Sequence, residues 1–582
     1  MIPTPSNPFY EAEPMKFTTP LLLAVLLTIS GCVDAAQSEV DAFCVPALAR
    51  VDTFMASFDG RVWEGEKYGG TAVVAAVADI QGGMNGFNSS DDIATQHHMF
   101  VNLMPLIQYD ENLQPIPYLA RSWEVSEDLR ELTFHLRDDV FWHDGTPTTA
   151  YDVEFTFLRA ADPATKYSNT SFFQYYRPGN LGVEVLDSLT VRFHLEQPHM
   201  DFLDPWRSVG IMPRHLLEDV PPEELASHPI GTICPVGNGP FRFVSYEPGA
   251  QWVFQANPAF PEELGGRPFL DRYVFRRIEE APTLLAELQV GTVDVYLGVL
   301  PHYAAQVSED PELRFEVFKS RSVLFAGWNS RIPKLSDARV RTALTLATNR
   351  QRILEGLRGA WGQVVNTAVP ITHWAFDPSL SEYFQYDPGQ AQRLLTEAGW
   401  EDRDGNGIRE DGEGNPLTIE FLYNHNQERQ EIAEIMQAQL REVGVDLQPR
   451  GVEYTSYVNT ILSPDRLFEG FLISWVADFR LDERDLFHSD LVDGPLAFSG
   501  LQDPVLDRYL DTLQLVTDRE EARPLWREYQ LRQMELHPYT FLFSTHRLDG
   551  LNNRLRGVVM DVRGDCQNLR EWWISPEERR SP

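Results

Sequence analysis

The sequence predicts an α/β protein built as two lobes, and three observations carry the prediction. Residues 270–278 alternate as a strand, 282–290 follow as a short helix, and Gly291-Thr292-Val293-Asp294-Val295 returns as a strand, a compact βαβ unit. Residues 417–423, 427–443 and 445–452 repeat that order. Their helix carries Ile432, Ile435, Met436, Leu440 and Val443 on one face and stops at Gly444. Units of this kind lay helices over a mixed or parallel sheet. The length, 582 residues, exceeds what one hydrophobic core supports, so several folding units are expected.

Ordered structure is expected to begin with a strand at Gly69-Gly70-Thr71-Ala72-Val73-Val74. Residues 99–107 carry Phe100, Leu103, Met104 and Leu106 and read as a helix entering a turn at Tyr109-Asp110-Glu111-Asn112. Trp123 and Val125, then Leu132, Phe134 and Leu136, alternate with polar residues as two half-buried strands. His143-Asp144-Gly145-Thr146-Pro147 supplies turn chemistry, and Thr149 can cap the segment 151–158. Val236-Gly237-Asn238-Gly239-Pro240 punctuates the entry to another strand; without a following GKS or GKT it is no phosphate cradle.

Residues 323–540 read as the second α/β lobe. Ser336 or Asp337 caps a helix with Val340, Leu344, Ala347, Leu354 and Leu357 near helical spacing and Gly359 as its stop. Asp387-Pro388 opens another helix, because proline at the first helical position has no N–H to leave unpaired. The apolar run from Pro538 to Phe543 reads as a strand leading back to the first lobe.

Lys plus Arg number 49 and Asp plus Glu 86, a net charge of −37. Phosphate would be repelled, so no nucleic-acid partner is expected. Residues 20–29 are almost wholly apolar, too short to span a bilayer, and follow Lys16. Ile29-Ser30-Gly31-Cys32 resembles a bacterial lipobox. In that reading residues 1–31 are a signal peptide with its true start at Met15, Cys32 carries lipid, and 32–67 are anchor and tether. Cys44, Cys234 and Cys566 then remain, enough for one disulfide and a free thiol. Cys44–Cys566 is the preferred pair, because both termini are expected in one lobe.

The stretch 119–157, LARSWEVSEDLRELTFHLRDDVFWHDGTPTTAYDVEFTF, resembles the segment that identifies extracellular solute-binding proteins of family 5, the oligopeptide and dipeptide receptors of ABC importers. Tyr151 departs from that pattern, where an acidic residue is usual. Further landmarks follow in family order: GPFRF at 239–243, YVFRRI at 273–278, DARVRTALTLATNR at 337–350, AQRLLTEAGW at 391–400 and ELHPYTFLF at 535–543. The resemblance covers about residues 68–575. It implies a two-lobed periplasmic-binding-protein-like fold of type II, with the ligand cleft between the lobes. The first lobe would comprise 68–107 and 237–322 with an inserted subdomain at 108–236. The second would comprise 323–540, and 541–582 would return to the first.

By the same resemblance the chain captures short peptides and delivers them to a membrane permease, as a monomer on the periplasmic side, without a cofactor and without covalent chemistry. In Trp475-Val476-Ala477-Asp478, the family's aspartate pairs with the peptide α-ammonium, which assigns that role to Asp478. A carboxylate meeting an ammonium in a closed cleft makes a charge-assisted bond. Trp475 would wall a side chain, and the extended backbone through Ala477 would add a ligand strand. Phe479-Arg480-Leu481-Asp482 replaces the proline-containing run of many relatives. Arg480 could pair with Asp478 or receive a ligand carboxylate, which leaves cargo class open. A nickel complex or an oligosaccharide is the alternative within the fold. A secreted hydrolase is the alternative outside it, without support from any GxSxG, SxxK or P-loop.

Asp402, Asp404, Asn406 and Gly407, with Glu413 at the twelfth place, have EF-hand calcium-loop spacing. Arg409 stands where an apolar anchor packs, and no helix fits before Pro416. A polar turn is therefore the reading preferred over a calcium site. His97, His98, His135 and His143 read as scattered surface histidines rather than a metal site.

Overall fold

The computed structural model describes residues 42–580 except 81, 88–91, 168–172, 174, 199–202, 204, 478, 480 and 517, and only the backbone of Thr455. A mixed sheet of eleven strands runs through both lobes. Its order is Asp446–Val452, Thr418–Asn424, Gly470–Val476, Leu313–Trp328, Tyr539–Asn552, Val295–Leu297, Thr71–Ala76, Arg272–Arg277, Gln251–Ala256 and Phe241–Glu247. Gly362–Val364 branches off against Tyr539–Asn552.

Leu313–Trp328 and Tyr539–Asn552 form a long antiparallel pair that passes from one lobe into the other. Residues 313–319 pair with 546–552; the ladder shifts between Lys319 and Val323, then runs on against 539–544. Leu313 and Leu548 belong to one core, whereas Val323, Phe325 and Phe541 belong to another. The irregularity thus falls where the strands change cores, and a bulge bends and twists a strand at such a place. Serines serve the main-chain groups that the ladder drops. Ser320 Oγ donates to Thr545 O (2.8 Å), Ser544 Oγ to Ser322 O (2.8 Å), and Ser322 N to Ser320 Oγ (3.1 Å).

In the second lobe the sheet is covered on both faces. Val323, Phe325, Leu422 and Phe471 pack to one side, Leu324, Trp328, Phe421 and Leu472 to the other. Double burial explains why these strands read as unbroken apolar runs. Thr418–Asn424 and Asp446–Val452 are adjacent and parallel, as a βαβ unit requires. The unit at 270–295 differs: Thr71–Ala76 lies between Arg272–Arg277 and Val295–Leu297, parallel to both. The expected single helix after Asp337 is two, Ala338–Ala347 and Arg350–Arg358. Asn349 interrupts them, and its Oδ1 accepts from Arg352 N (3.0 Å).

The signature stretch forms strands Ala120–Val125 and Glu131–Leu136 of a separate four-stranded antiparallel sheet, followed by helix Ala150–Ala161. Thr149 caps the helix reciprocally: its N and Oγ1 donate to Asp152 Oδ2 (2.8 and 3.0 Å), and Asp152 N returns to Thr149 O (3.1 Å). His143 ties its turn to the glycine-rich landmark. Its Nδ1 accepts from Gly237 N (3.2 Å) and its Nε2 donates to Gly239 O (3.0 Å). Gly237 approaches Asn102 so closely that a Cβ there would lie 1.8 Å from the Asn102 carbonyl oxygen. Gly239 N takes that carbonyl (2.9 Å) and Asn238 Oδ1 takes Met104 N (2.9 Å). These bonds end the helical segment at Asn102 rather than near 107, since Leu103 is already extended.

Three expectations are corrected. Residues 42–56, within the expected tether, form a helix whose Cys44, Ala47, Val51 and Met55 are buried at helical spacing in the first-lobe core. That helix carries Cys44 to Cys234, Cα–Cα 5.7 Å, so the disulfide is Cys44–Cys234 and not Cys44–Cys566. Cys566 is a buried free thiol 3.9 Å from Tyr273 Oη. His97, His98 and His143 are buried, not surface residues, and burial pushes each imidazole down to about 4. They serve as neutral hydrogen-bonding groups, His97 to Ile93 O and Tyr273 Oη (both 2.7 Å), His98 to Gly83 O (2.9 Å). The signal peptide, Cys32, Asp478 and Arg480 lie outside the described residues.

Candidate functional site

A cavity of about 440 Å³ opens where the crossing strands leave the first lobe. One wall comes from Thr71–Ala76 and helix Asp92–His97, another from the second lobe through Arg358, Glu428 and Val476. The cavity is strongly charged. Arg547, on Tyr539–Asn552, donates from Nη1 to Asp92 Oδ2 (3.0 Å) and from Nη2 to Asp565, while its Nε lies 4.0 Å from Asp549 Oδ1. Asp549 is fully buried and its Oδ1 accepts from Gly298 N (2.8 Å).

These neighbours divide the three carboxylates. Burial, outweighing Arg547, holds Asp549 and Asp565 above the usual carboxylate range. Burial also opposes charge on Asp92, but Arg547 and Arg321 together hold it below. Gln96 Oε1 and Asp549 Oδ2 are buried without a hydrogen-bond partner among the described residues.

Of the expected site residues, Ala477 is buried beside the crossing strand. Its N donates to Arg321 O (3.2 Å) and its carbonyl accepts from Arg321 Nη1. Trp475 pairs with Val323 and packs against the second-lobe core, while its neighbour Val476 faces the cavity. Phe479 lies in the seam between the lobes: its ring centroid is 3.8 Å from Arg207 Cζ, 4.3 Å from Arg321 Cζ and 5.4 Å from the Tyr109 ring. Nearby, Tyr175 Oη bonds Asp482 Oδ2 and accepts from Gln514 Nε2 (3.1 Å), a second contact across the seam. The lobes therefore meet at Phe479 and at Asp482.

Strand Gly470–Val476 is paired over its whole length with Leu313–Trp328, but on its other side only Gly470 and Phe471 pair with Thr418–Asn424. Residues 473–476 thus run toward the cavity with one edge outside the described ladders. Sequence reasoning found this strand and missed the Arg547 cluster. The available signal was Arg547 and Asp549, two apart in an apolar strand, which puts two charges on one face.

Of the residues with calcium-loop spacing, for which a polar turn is the preferred reading, Asp402 and Asp404 come together with Glu410, not with Glu413. Glu413 lies in the next turn, its N donating to Asp411 Oδ1 (2.8 Å).

No described helix is long and apolar enough to cross a membrane. Residues 114–489 match the family described as bacterial extracellular solute-binding proteins, family 5 Middle. The chain is 26% identical over 511 residues to oligopeptide-binding protein AppA of Bacillus subtilis (strain 168), covering 87% of this chain and 92% of that one. It is 30% identical over 475 residues to the dipeptide-binding protein of Escherichia coli (strain K12), covering 77% and 84%. The solved structure of the Bacillus AppA with a nonapeptide superposes with a TM-score of 0.79 at 25% identity, over 88% of this chain and 100% of that one. That of NikZ from Campylobacter jejuni with Ni(L-His) gives 0.74 at 26% identity, over 86% and 99%. With a family match over more than half its length and the two-lobed fold in place, the chain belongs to the bacterial extracellular solute-binding proteins of family 5.

Proposed function

We propose that this protein is the substrate-binding receptor of an ABC importer that captures short peptides between its lobes and presents the closed form to a membrane permease. The observation that carries the reading is the edge of residues 473–476, unpaired among the described strands, beside a charged interlobe cavity. An extended peptide can add to that edge through its main chain, which tolerates many side chains. Peptide binding by the relatives named above supports the same cargo class. A ligand touching both lobes favours closure by its differential affinity for the closed state. The receptor is proposed to act as a monomer without enzymatic activity, anchored through lipid on Cys32 at the periplasmic side of a membrane.

Asp478 is assigned the peptide α-ammonium, and Arg480 is assigned either to pairing with Asp478 or to receiving a ligand carboxylate. Mass spectrometry of denatured, freshly purified protein should release intact short peptides; cleaved products on incubation would instead favour a hydrolase. In calorimetry, Asp478→Ala should weaken free-amine peptides and spare their N-acetylated forms. Equal loss for both would remove Asp478 from that role. The second reading, a metal complex as cargo, is favoured by the excess of carboxylates around Arg547, and would appear as nickel co-purifying in place of peptide.

A further inference from the structure

We propose that the second lobe binds a calcium ion between Asp402, Asp404 and Glu410, a structural site separate from the cargo cleft. The three carboxylates each place an oxygen within 4.8 Å of the others. Two ligands on opposite sides of a calcium ion at ~2.4 Å stand ~4.8 Å apart, so the group fits one coordination sphere.

Glu410 supplies the independent evidence. It is 6% exposed, its Oε2 accepts from Arg403 N (2.7 Å), and its Oε1 is buried without a hydrogen-bond partner among the described residues. A buried carboxylate oxygen without a partner is costly, and a cation at the mouth of the group would satisfy it. Asp402 and Asp404 are exposed, so the ion has a path in.

Hydrogen bonds within the loop hold the two aspartates in place. Asp402 accepts from Gly405 N (2.8 Å) and Gly407 N (3.1 Å), and Asp404 from Asn406 N and Nδ2 (both 2.9 Å). Each carboxylate oxygen retains a lone pair for the ion. Asn406 Oδ1 is engaged by Ile408 N (2.7 Å), so Asn406 orients Asp404. Arg409 does not close the site. Its guanidinium donates to Val443 O and Trp400 O (both 2.8 Å) and Thr396 Oγ1 (2.9 Å), while Ile408 supplies the buried apolar contact. The all-oxygen donor set selects a hard cation. The spacing suits calcium, whose ligands stand at ~2.3–2.6 Å in flexible geometry, better than the smaller magnesium, which demands a near-octahedral shell. The ion would fasten the loop between helix Pro388–Glu397 and strand Thr418–Asn424 to Gly444 at the far edge of the sheet, through Arg409 N to Gly444 O (2.8 Å).

The test uses full-length protein stripped with EDTA. Calcium chloride should bind at one site per chain in calorimetry and raise Tm by several degrees, with magnesium chloride giving a much smaller shift. Glu410→Gln and Asp404→Asn should each abolish the calcium-dependent shift while keeping the Tm measured in EDTA and the peptide affinity. Asp411→Asn, in the neighbouring turn, should keep the full shift. A wild-type Tm identical in EDTA and millimolar calcium, an equal response to magnesium, or an undiminished shift in Glu410→Gln would each overturn the site. The calorimetric stoichiometry on the wild type decides the matter even where a variant fails to fold.

Discussion

The guanidinium carbon of Arg207 lies 3.8 Å from the centroid of the Phe479 ring, bridging the two lobes. Arg207 also donates from Nη2 to Arg563 O (2.7 Å), which fixes it to the first lobe. Arg321, on the crossing strand, faces the same ring at 4.3 Å. Phe479 thus sits between two cations at the seam, in the stretch that departs from the family pattern. The contact spans the seam, and we infer that it favours the closed form.

Phe479→Ala should therefore shift the lobes toward the open form. A desolvated cation–π contact is worth about 2 kcal/mol, and the expected loss of cargo affinity is on the order of tenfold. Calorimetry with the co-purified cargo measures the affinity, and the radius of gyration in X-ray scattering measures closure. Unchanged affinity together with an unchanged radius would show that the contact does not favour closure.

Removal of the Cys44–Cys234 bridge should lower stability strongly. The bridge spans a sequence separation of 190 residues. A loop that long gives about 5 kcal/mol in the chain-entropy model, and measured losses for native disulfides run ~2–5 kcal/mol. Cys44→Ser should lower Tm well below wild type and make it insensitive to reductant. Cys566, held buried with its thiol pushed up by burial, should react with a thiol reagent only after unfolding. A wild-type melt that does not move in strong reductant would exclude the bridge.

The strands, caps and landmarks were legible because each is local. Asp337 and Asp387 cap helices where their sequence positions suggested, since a cap needs only a side chain and an N–H two or three residues on, and at Thr149 the Asp152 carboxylate reaches back to the Thr149 N–H. The Arg547 cluster was not, because Asp92, Asp549 and Asp565 meet only after three separate segments converge. The cysteine pairing failed for the same reason. Cys44 reaches Cys234 because helix 42–56 docks on the first-lobe core, and that docking is tertiary. His143 looked exposed within a polar turn, yet its two ring nitrogens close on Gly237 and Gly239, 94 and 96 residues away.

Glu483 should make stability fall as pH rises from about 4.5 to about 7. It is buried against the second-lobe helices, where Tyr529 Oη (2.6 Å) and Gln533 Nε2 (3.0 Å) donate to Oε2, while Oε1 has no hydrogen-bond partner among the described residues. Burial pushes its carboxyl up to about 7, outweighing those two donors. The folded state therefore holds a proton that the unfolded chain releases near pH 4.5. The stabilisation is complete below that pH and is lost as pH rises through the folded value. Glu483→Gln keeps an acceptor for Tyr529 and removes the charge. Against wild type its stability should be similar at pH 5 and greater at pH 8, by at most about 3 kcal/mol, since a tenfold difference in proton affinity between folded and unfolded chain corresponds to ~1.4 kcal/mol. Urea melts at both pH values read the difference directly. A variant less stable than wild type at pH 8 would mean that Glu483 is ionised and usefully paired in the folded protein.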